Sequence, residues 1–427
     1  MLRRLVDVEP GEVAPMIFGC LYFFFTLASY FVLRPIRDEL AVAAGARTLP
    51  WLFTGTLAAM LLASPIFSAL VVRFRAKRFI GITYQFFAAN LVVFFLASRL
   101  GVDATVAGLT FFVWTSVFNL FVVSVFWAFM ADTFRSDQAK RLFGFIAVGG
   151  TLGSITGSAL TAFLARSLGT ANLLLISVAL LEVAAFLVAI FPVAPGAGRV
   201  ALDERERRAI GGSVWAGITH VACSRYLLGI AGFLFLYTLG GTVLYFAQTE
   251  IVGASFATRE ARTEMLARME LATQALTVVM QVFLTGRIIR AVGLSVALAF
   301  MPAVSVVGFA GLGAAAGGVP ALTAFVLLSV CRRATNFGLT NPAMEVLFTV
   351  VSREDKYKAK TFIETFVYRA GDQLAAWGYA GLAALGLGLS AIAWLTVPLS
   401  ALFLALGLWL GAEHRARARE APAPPSA

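Results

Sequence analysis

The sequence predicts an all-α membrane protein with about 12 transmembrane helices arranged as two parallel six-helix repeats. Three observations carry that expectation. Apolar stretches of bilayer-spanning length follow one another along nearly the whole chain. Of 427 residues, 60% are hydrophobic and 13% charged, which leaves little room for a large water-exposed domain. The positive charge falls in alternate gaps between the stretches.

The expected spans are 14–34, 50–72, 79–98, 106–130, 143–165, 171–192, 226–247, 266–285, 293–317, 319–336, 361–385 and 391–411. With the N-terminus placed in the cytoplasm, the inward gaps hold 25 of the 34 Lys and Arg and the outward gaps 8, which puts both termini inside. Most of the net charge of +11 is therefore a topology signal. Cations scattered over many loops without interleaved aromatics argue against nucleic-acid binding. The polar run Met1–Pro15 precedes a stretch too long for a signal-peptide core, so the first helix is expected to stay in the lipid. Three cysteines suggest no disulfide framework, and the two histidines, His220 and His414, have no metal-ligand company.

Landmarks recur across a charged linker. Basic loops follow the second helix of each half, at 73–78 and 286–293, and an Ala-Lys pair precedes the fifth, at Ala139-Lys140 and Ala359-Lys360. The expected organisation is a bundle at 1–192, a cytoplasmic linker at 193–225, a second bundle at 226–411 and a disordered tail at 412–427. Six-helix halves running the same way describe the parallel repeat of the major facilitator architecture. In the fifth helix, Gly149, Gly153 and Gly157 at four-residue spacing mark a face that packs closely on another helix.

Ionisable groups at membrane depth cost roughly 2–3 kcal/mol each, so the few present are candidate functional residues. Arg34 and Arg37 lie three apart at the end of the first helix, where two guanidinium forks can hold a phosphate or carboxylate. The other reading pairs them with Asp38 and Glu39. Glu364, Tyr368 and Asp372 follow at four-residue steps in the eleventh helix. Beside them Arg369 is either a third anion contact or the partner of Asp372. Glu182, in the sixth helix, reads as a proton carrier or a hydrogen-bonded structural group. Glu270, Gln274, Gln281, Asn90 and Asn119 read as inter-helical hydrogen-bonding positions. Tyr22, Trp114 and Tyr237 are candidates for stacking on a planar ring, drawn from 38 Phe, 7 Trp and 9 Tyr that mostly pack or face lipid. Arg287 and Arg290 in Gly286-Arg-Ile-Ile-Arg-Ala-Val-Gly293 are either a gating clamp or positive-inside anchors. A phosphate-cradling glycine loop, a nucleophile beside a base and an HExxH helix are all missing, so neither ATP-driven pumping nor an enzyme is expected.

Three segments together resemble the ATP/ADP translocase (nucleotide transporter) family of plastids and intracellular bacteria, a distant branch of the major facilitator superfamily. They are Leu33-Arg-Pro-Ile-Arg-Asp-Glu-Leu40; Phe126-Trp-Ala-Phe-Met-Ala-Asp132 with Ala139-Lys-Arg-Leu-Phe-Gly144; and Asn341-Pro-Ala-Met-Glu345 with Asp355-Lys-Tyr-Lys-Ala-Lys-Thr-Phe-Ile363. The resemblance implies a secondary-active antiporter of nucleotides or other organic anions, without cofactor, monomeric, in a bacterial inner membrane. The sequence also departs from the family. Arg37 stands where a lysine is expected and neutral Thr115 where an acid is. No charge lies between Arg225 and Glu250, and Arg369 is the cation nearest the position of an eleventh-helix lysine. Those departures keep two alternatives open: a proton-coupled transporter using Glu182, Glu364 or Asp372, and a partner or assembly protein that keeps the fold without transport.

Overall fold

A computed structural model describes residues 8–9, 11–73, 76–101, 103–192, 221, 224–315, 318–351, 359–360 and 362–420. Among these, twelve helical elements follow one another. The first six are α1 (Val13–Ala44), α2 (Leu49–Arg73), α3 (Ala76–Arg99), α4 (Ala104–Thr133), α5 (Ser136–Leu168) and α6 (Thr170–Ala189). The next are α7 (Arg225–Ser255) and α8 (Arg259–Val279), the latter running on through a π-helical turn (Met280–Thr285) and a short helix (Gly286–Ala291). After α9 (Leu294–Ala314), α10 (Gly318–Thr335) continues through a π turn (Asn336–Thr340) into Asn341–Leu347. A third π turn (Ile363–Val367) opens α11 (Tyr368–Ala384), and α12 (Leu389–Glu420) ends the described chain. Among the described residues, nine helices are long and apolar enough to cross a membrane.

Several spans outrun their expected ends. α1 continues past its expected end at 34 to Ala44, so Arg34, Arg37, Asp38 and Glu39 all lie within the helix. α12 is helical through Glu420, into the stretch expected to be disordered; 421–427 and nearly all of the linker at 193–225 lie outside the described residues.

The chain forms two compact units, Met1–Arg208 with Phe256–Gln274, and Ala209–Ser255 with Ala275–Ala427. The first part of α8 belongs with the first unit. Within the first unit α1 packs on α4, α5 and α6, and α3 packs on α6. Within the second, α7 packs on α10, α11 and α12, and α9 packs on α12. The same partners thus recur six elements apart, as a parallel repeat requires.

Lipid supplies no hydrophobic drive between helices, so close fit must hold them together. The α1–α5 contact shows how. A Cβ placed on Gly149, Gly153 or Gly157 would collide with the carbonyl oxygens of Cys20, Phe24 and Ala28 respectively. The four-residue spacing on α5 thus meets the same spacing on α1, backbone against backbone. Beside this seam Tyr22, Phe23, Phe126 and Phe129 build an aromatic core, with Phe23 and Phe126 stacked at 4.0 Å between centroids.

At the start of α1, Glu12 is 1% exposed and accepts from Gln138 Nε2 at 2.9 Å and Arg141 Nη2 at 3.0 Å, both on α5. Burial pushes its carboxyl pKa up, but the Glu9 amide, Gln138 and Arg141 together outweigh that and hold it below its usual value.

Two expectations follow. Gly153→Ala should separate α1 from α5 and lower stability by about 1–3 kcal/mol, whereas Gly144→Ala on the same helix, where nothing lies within 4 Å, should be harmless. Thermal unfolding in detergent checks both. Because the folded pKa of Glu12 is depressed, its contribution is complete above the ordinary value of 4.5 and is lost as pH falls through the lowered one. Glu12→Gln should therefore melt below the parent protein at pH 7 and converge with it in acid.

Candidate functional site

Two charged groupings dominate, one in each unit. In the first unit the C-terminal ends of α1 and α5 meet the start of α8 through ion pairs. Glu39, fully buried, lies 3.2 Å from Arg259 Nε and 3.7 Å from Arg262 Nη1. Glu264, 9% exposed, pairs with Arg166 of α5 and with Arg268. Glu270, 3% exposed, lies 3.3 Å from Arg34 Nη1 and accepts from Gln274 at 3.0 Å. These pairs account for the membership of the 256–274 segment in the first unit.

The two arginines expected to hold an anion are thus both engaged. Arg34 faces Glu270, and Arg37 grips Asp38 through Nη2 at 2.6 Å and Nε at 3.0 Å while lying over the Phe112 ring. The alternative pairing with Asp38 holds for Arg37, but Glu39 answers α8 instead.

The aromatic candidates separate as well. Tyr22 has no exposed surface and its hydroxyl meets that of Tyr84 at 2.8 Å, so the ring is committed to packing. Trp114 stacks on Phe118 and Phe111 and meets Phe87 and Phe94 edge-on. Glu182 accepts from Gln85 Nε2 at 2.6 Å, joining α6 to α3. Tyr22 and Glu182 are thus accounted for by their neighbours, whereas the Trp114 ring is packed but its indole N–H is buried without a hydrogen-bond partner.

The second unit gathers α7, α9, α10 and α11 around Tyr237. Its ring lies 6.2 Å from that of Tyr368, and its hydroxyl accepts from Asn336 Nδ2 at 3.1 Å. Asp372 accepts from Thr242 at 3.2 Å and stands 3.9 Å from Arg369. Tyr237, Tyr368, Arg369 and Asp372 are all half-buried. Glu364 is not among them, although four-residue spacing put it on their face. The π turn at Ile363–Val367 lies between, and its wider winding breaks that register. Glu364 is exposed and lies 3.7 Å from Lys360, which is bound to Glu345 at 2.6 Å. Lys360 and Glu345, which come from two separate parts of one motif, are therefore partners in space.

The other π turns cross. Gln281 Nε2 donates to Phe337 O at 3.1 Å, and Thr285 Oγ1 donates to Gly338 O. Side chains of one wide turn thus satisfy carbonyls of the other. Beyond them Arg287 and Arg290 are exposed, and Arg290 returns to its own turn through Gly286 O at 3.0 Å.

Sequence reasoning missed Arg332. It sits inside α10, 3% exposed, with Nη2 2.6 Å from Tyr237 O, Nε 3.2 Å from Ser305 Oγ and its guanidinium 5.0 Å above the Tyr237 ring. A Cβ on Gly240 or Gly241 of α7 would approach the same guanidinium at 3.3 and 3.4 Å, so the glycine pair makes its room. The pair Gly240-Gly241, one turn after Tyr237, was the signal available.

No protein-family model matches the chain, and no curated protein sequence does. Solved structures do. A bacterial homologue of the human lysosomal transporter Spinster, in an inward-facing and unoccupied conformation, aligns over 98% of this chain and 100% of its own with a TM-score of 0.59 at 12% identity. The nucleoside transporter NupG aligns over 96% and 100% with a TM-score of 0.55 at 13% identity, and a point mutant of NupG gives a TM-score of 0.52. The chain therefore shares the fold of these solved transporters, and it is a multi-pass membrane protein.

Because removing one member of a buried ion pair strands the other charge, Glu39→Gln should cost on the order of 3 kcal/mol. A melting comparison with Glu345→Gln, a largely exposed pair expected to cost under about 1 kcal/mol, checks that ranking.

Proposed function

We propose that this protein is a secondary-active transporter of a small organic anion, and in its most specific form a nucleotide antiporter of the ATP/ADP exchange kind, working by alternating access in a bacterial inner membrane with both termini cytoplasmic. The observation that carries the reading is the fold shared with solute transporters, joined to half-buried Tyr237, Tyr368, Arg369 and Asp372 on facing helices of one unit. Two aromatic rings beside a cation suit a planar anion. The motif resemblance to nucleotide transporters and the nucleoside substrate of NupG point the same way.

Arg34 and Arg37 are reassigned in this reading. Each has a carboxylate partner, so they hold the C-terminal end of α1 rather than the substrate. Asp372 supports a second reading, proton-coupled uptake, because it is a half-buried carboxylate with a distant cation and a hydroxyl for company.

Liposomes preloaded with ADP should take up labelled ATP several-fold faster than empty ones, and an uncoupler should not change the rate. Uptake that needs a proton gradient and disappears in Asp372→Asn would replace exchange with proton coupling.

A further inference from the structure

We propose that Arg332 is the anion-binding group of the second unit, taking the phosphate or carboxylate of a ligand whose planar part lies against Tyr237 and Tyr368. The proposal rests on the transporter reading and names the chemistry of its substrate.

Arg332 lies in the interior, yet no carboxylate pairs with it among the described residues. Its protein acceptors are one carbonyl and one serine hydroxyl. A guanidinium offers five N–H donors in a planar fork, so these two acceptors leave most of the fork unused. A buried cation without a counter-charge is costly, and it persists where something other than the protein supplies the anion. The treatment of the other interior arginines sharpens the contrast, since Arg34 and Arg37 both have acids beside them.

The surroundings are built for the guanidinium. Gly240 and Gly241 leave it space on α7, the Tyr237 ring lies beneath it, and Asn336 holds the Tyr237 hydroxyl. Three residues earlier on α10, and so on the same face, the Ser329 hydroxyl is buried without a partner. A second buried polar group on that face of α10 thus has no hydrogen-bond partner among the described residues. A planar anion bound bidentately would use both the geometry and the charge.

The test uses the full chain in detergent, with melting temperature followed against inorganic phosphate, ADP, adenosine and, for ionic strength, chloride. Phosphate and ADP should raise the melting temperature saturably, and chloride should not. Arg332→Gln should weaken ADP and phosphate at least tenfold and leave adenosine within about twofold, since about 1.4 kcal/mol corresponds to a factor of ten. Should that variant aggregate, Arg332→Lys decides: a loss of several-fold for ADP with adenosine unchanged is the expected result. Absence of any saturable anion effect in the parent protein, or equal ADP affinity in parent and variant, overturns the proposal. If phosphate binding depends on Arg332 while ADP binds no tighter than phosphate and no exchange occurs in liposomes, the anion site stands and the nucleotide reading falls.

Discussion

A charge placed in lipid must find its opposite inside the protein, and much of this architecture follows from that requirement. The first unit meets it by pairing. Glu39, Glu264 and Glu270 are each nearly or fully buried, and each has an arginine within reach. Such pairs contribute little net stability, because desolvation offsets much of the attraction. Their effect is on geometry: either partner alone is intolerable, so α1, α5 and the start of α8 are held in one arrangement.

Steric fit does for the uncharged surfaces what ion pairs do for the charged ones. Gly149, Gly153 and Gly157 bring the α5 backbone onto the carbonyls of α1, where even a methyl group would collide. Aromatic rings fill the space to one side, and Tyr22 spends its hydroxyl on Tyr84. This explains why Tyr22, a candidate ligand contact by its position in the chain, is a packing residue.

Apolar length was enough to place all twelve helical elements, and residue spacing was enough to find the glycine seam. What spacing could not reveal was winding. The π turns at Met280–Thr285, Asn336–Thr340 and Ile363–Val367 break the 3.6-residue register on which face assignments depend, so Glu364 left the face shared by Tyr368 and Asp372. Helix ends misled in a related way. Arg332 fell near the end of the expected span 319–336, where a cation usually reaches the interface, yet the helical path runs on to Leu347 and the arginine is buried. Partners distant in sequence, such as Glu39 with Arg259, were legible as charges but not as pairs.

The contrast between the two units bears on how exchange would be enforced. Rotating paired charges through a conformational cycle changes their environment little, because each carries its own counter-ion. A lone buried guanidinium is different: without an anion, every state that removes it further from water is penalised, and binding an anion lifts that penalty. Under the proposed assignment the empty form is therefore disfavoured from completing the cycle and the loaded form is not, which is the asymmetry an antiporter needs. Arg34 and Arg37, already neutralised, would not impose it. The position that best suits obligate exchange is thus the interior arginine, Arg332, that has no carboxylate partner among the described residues.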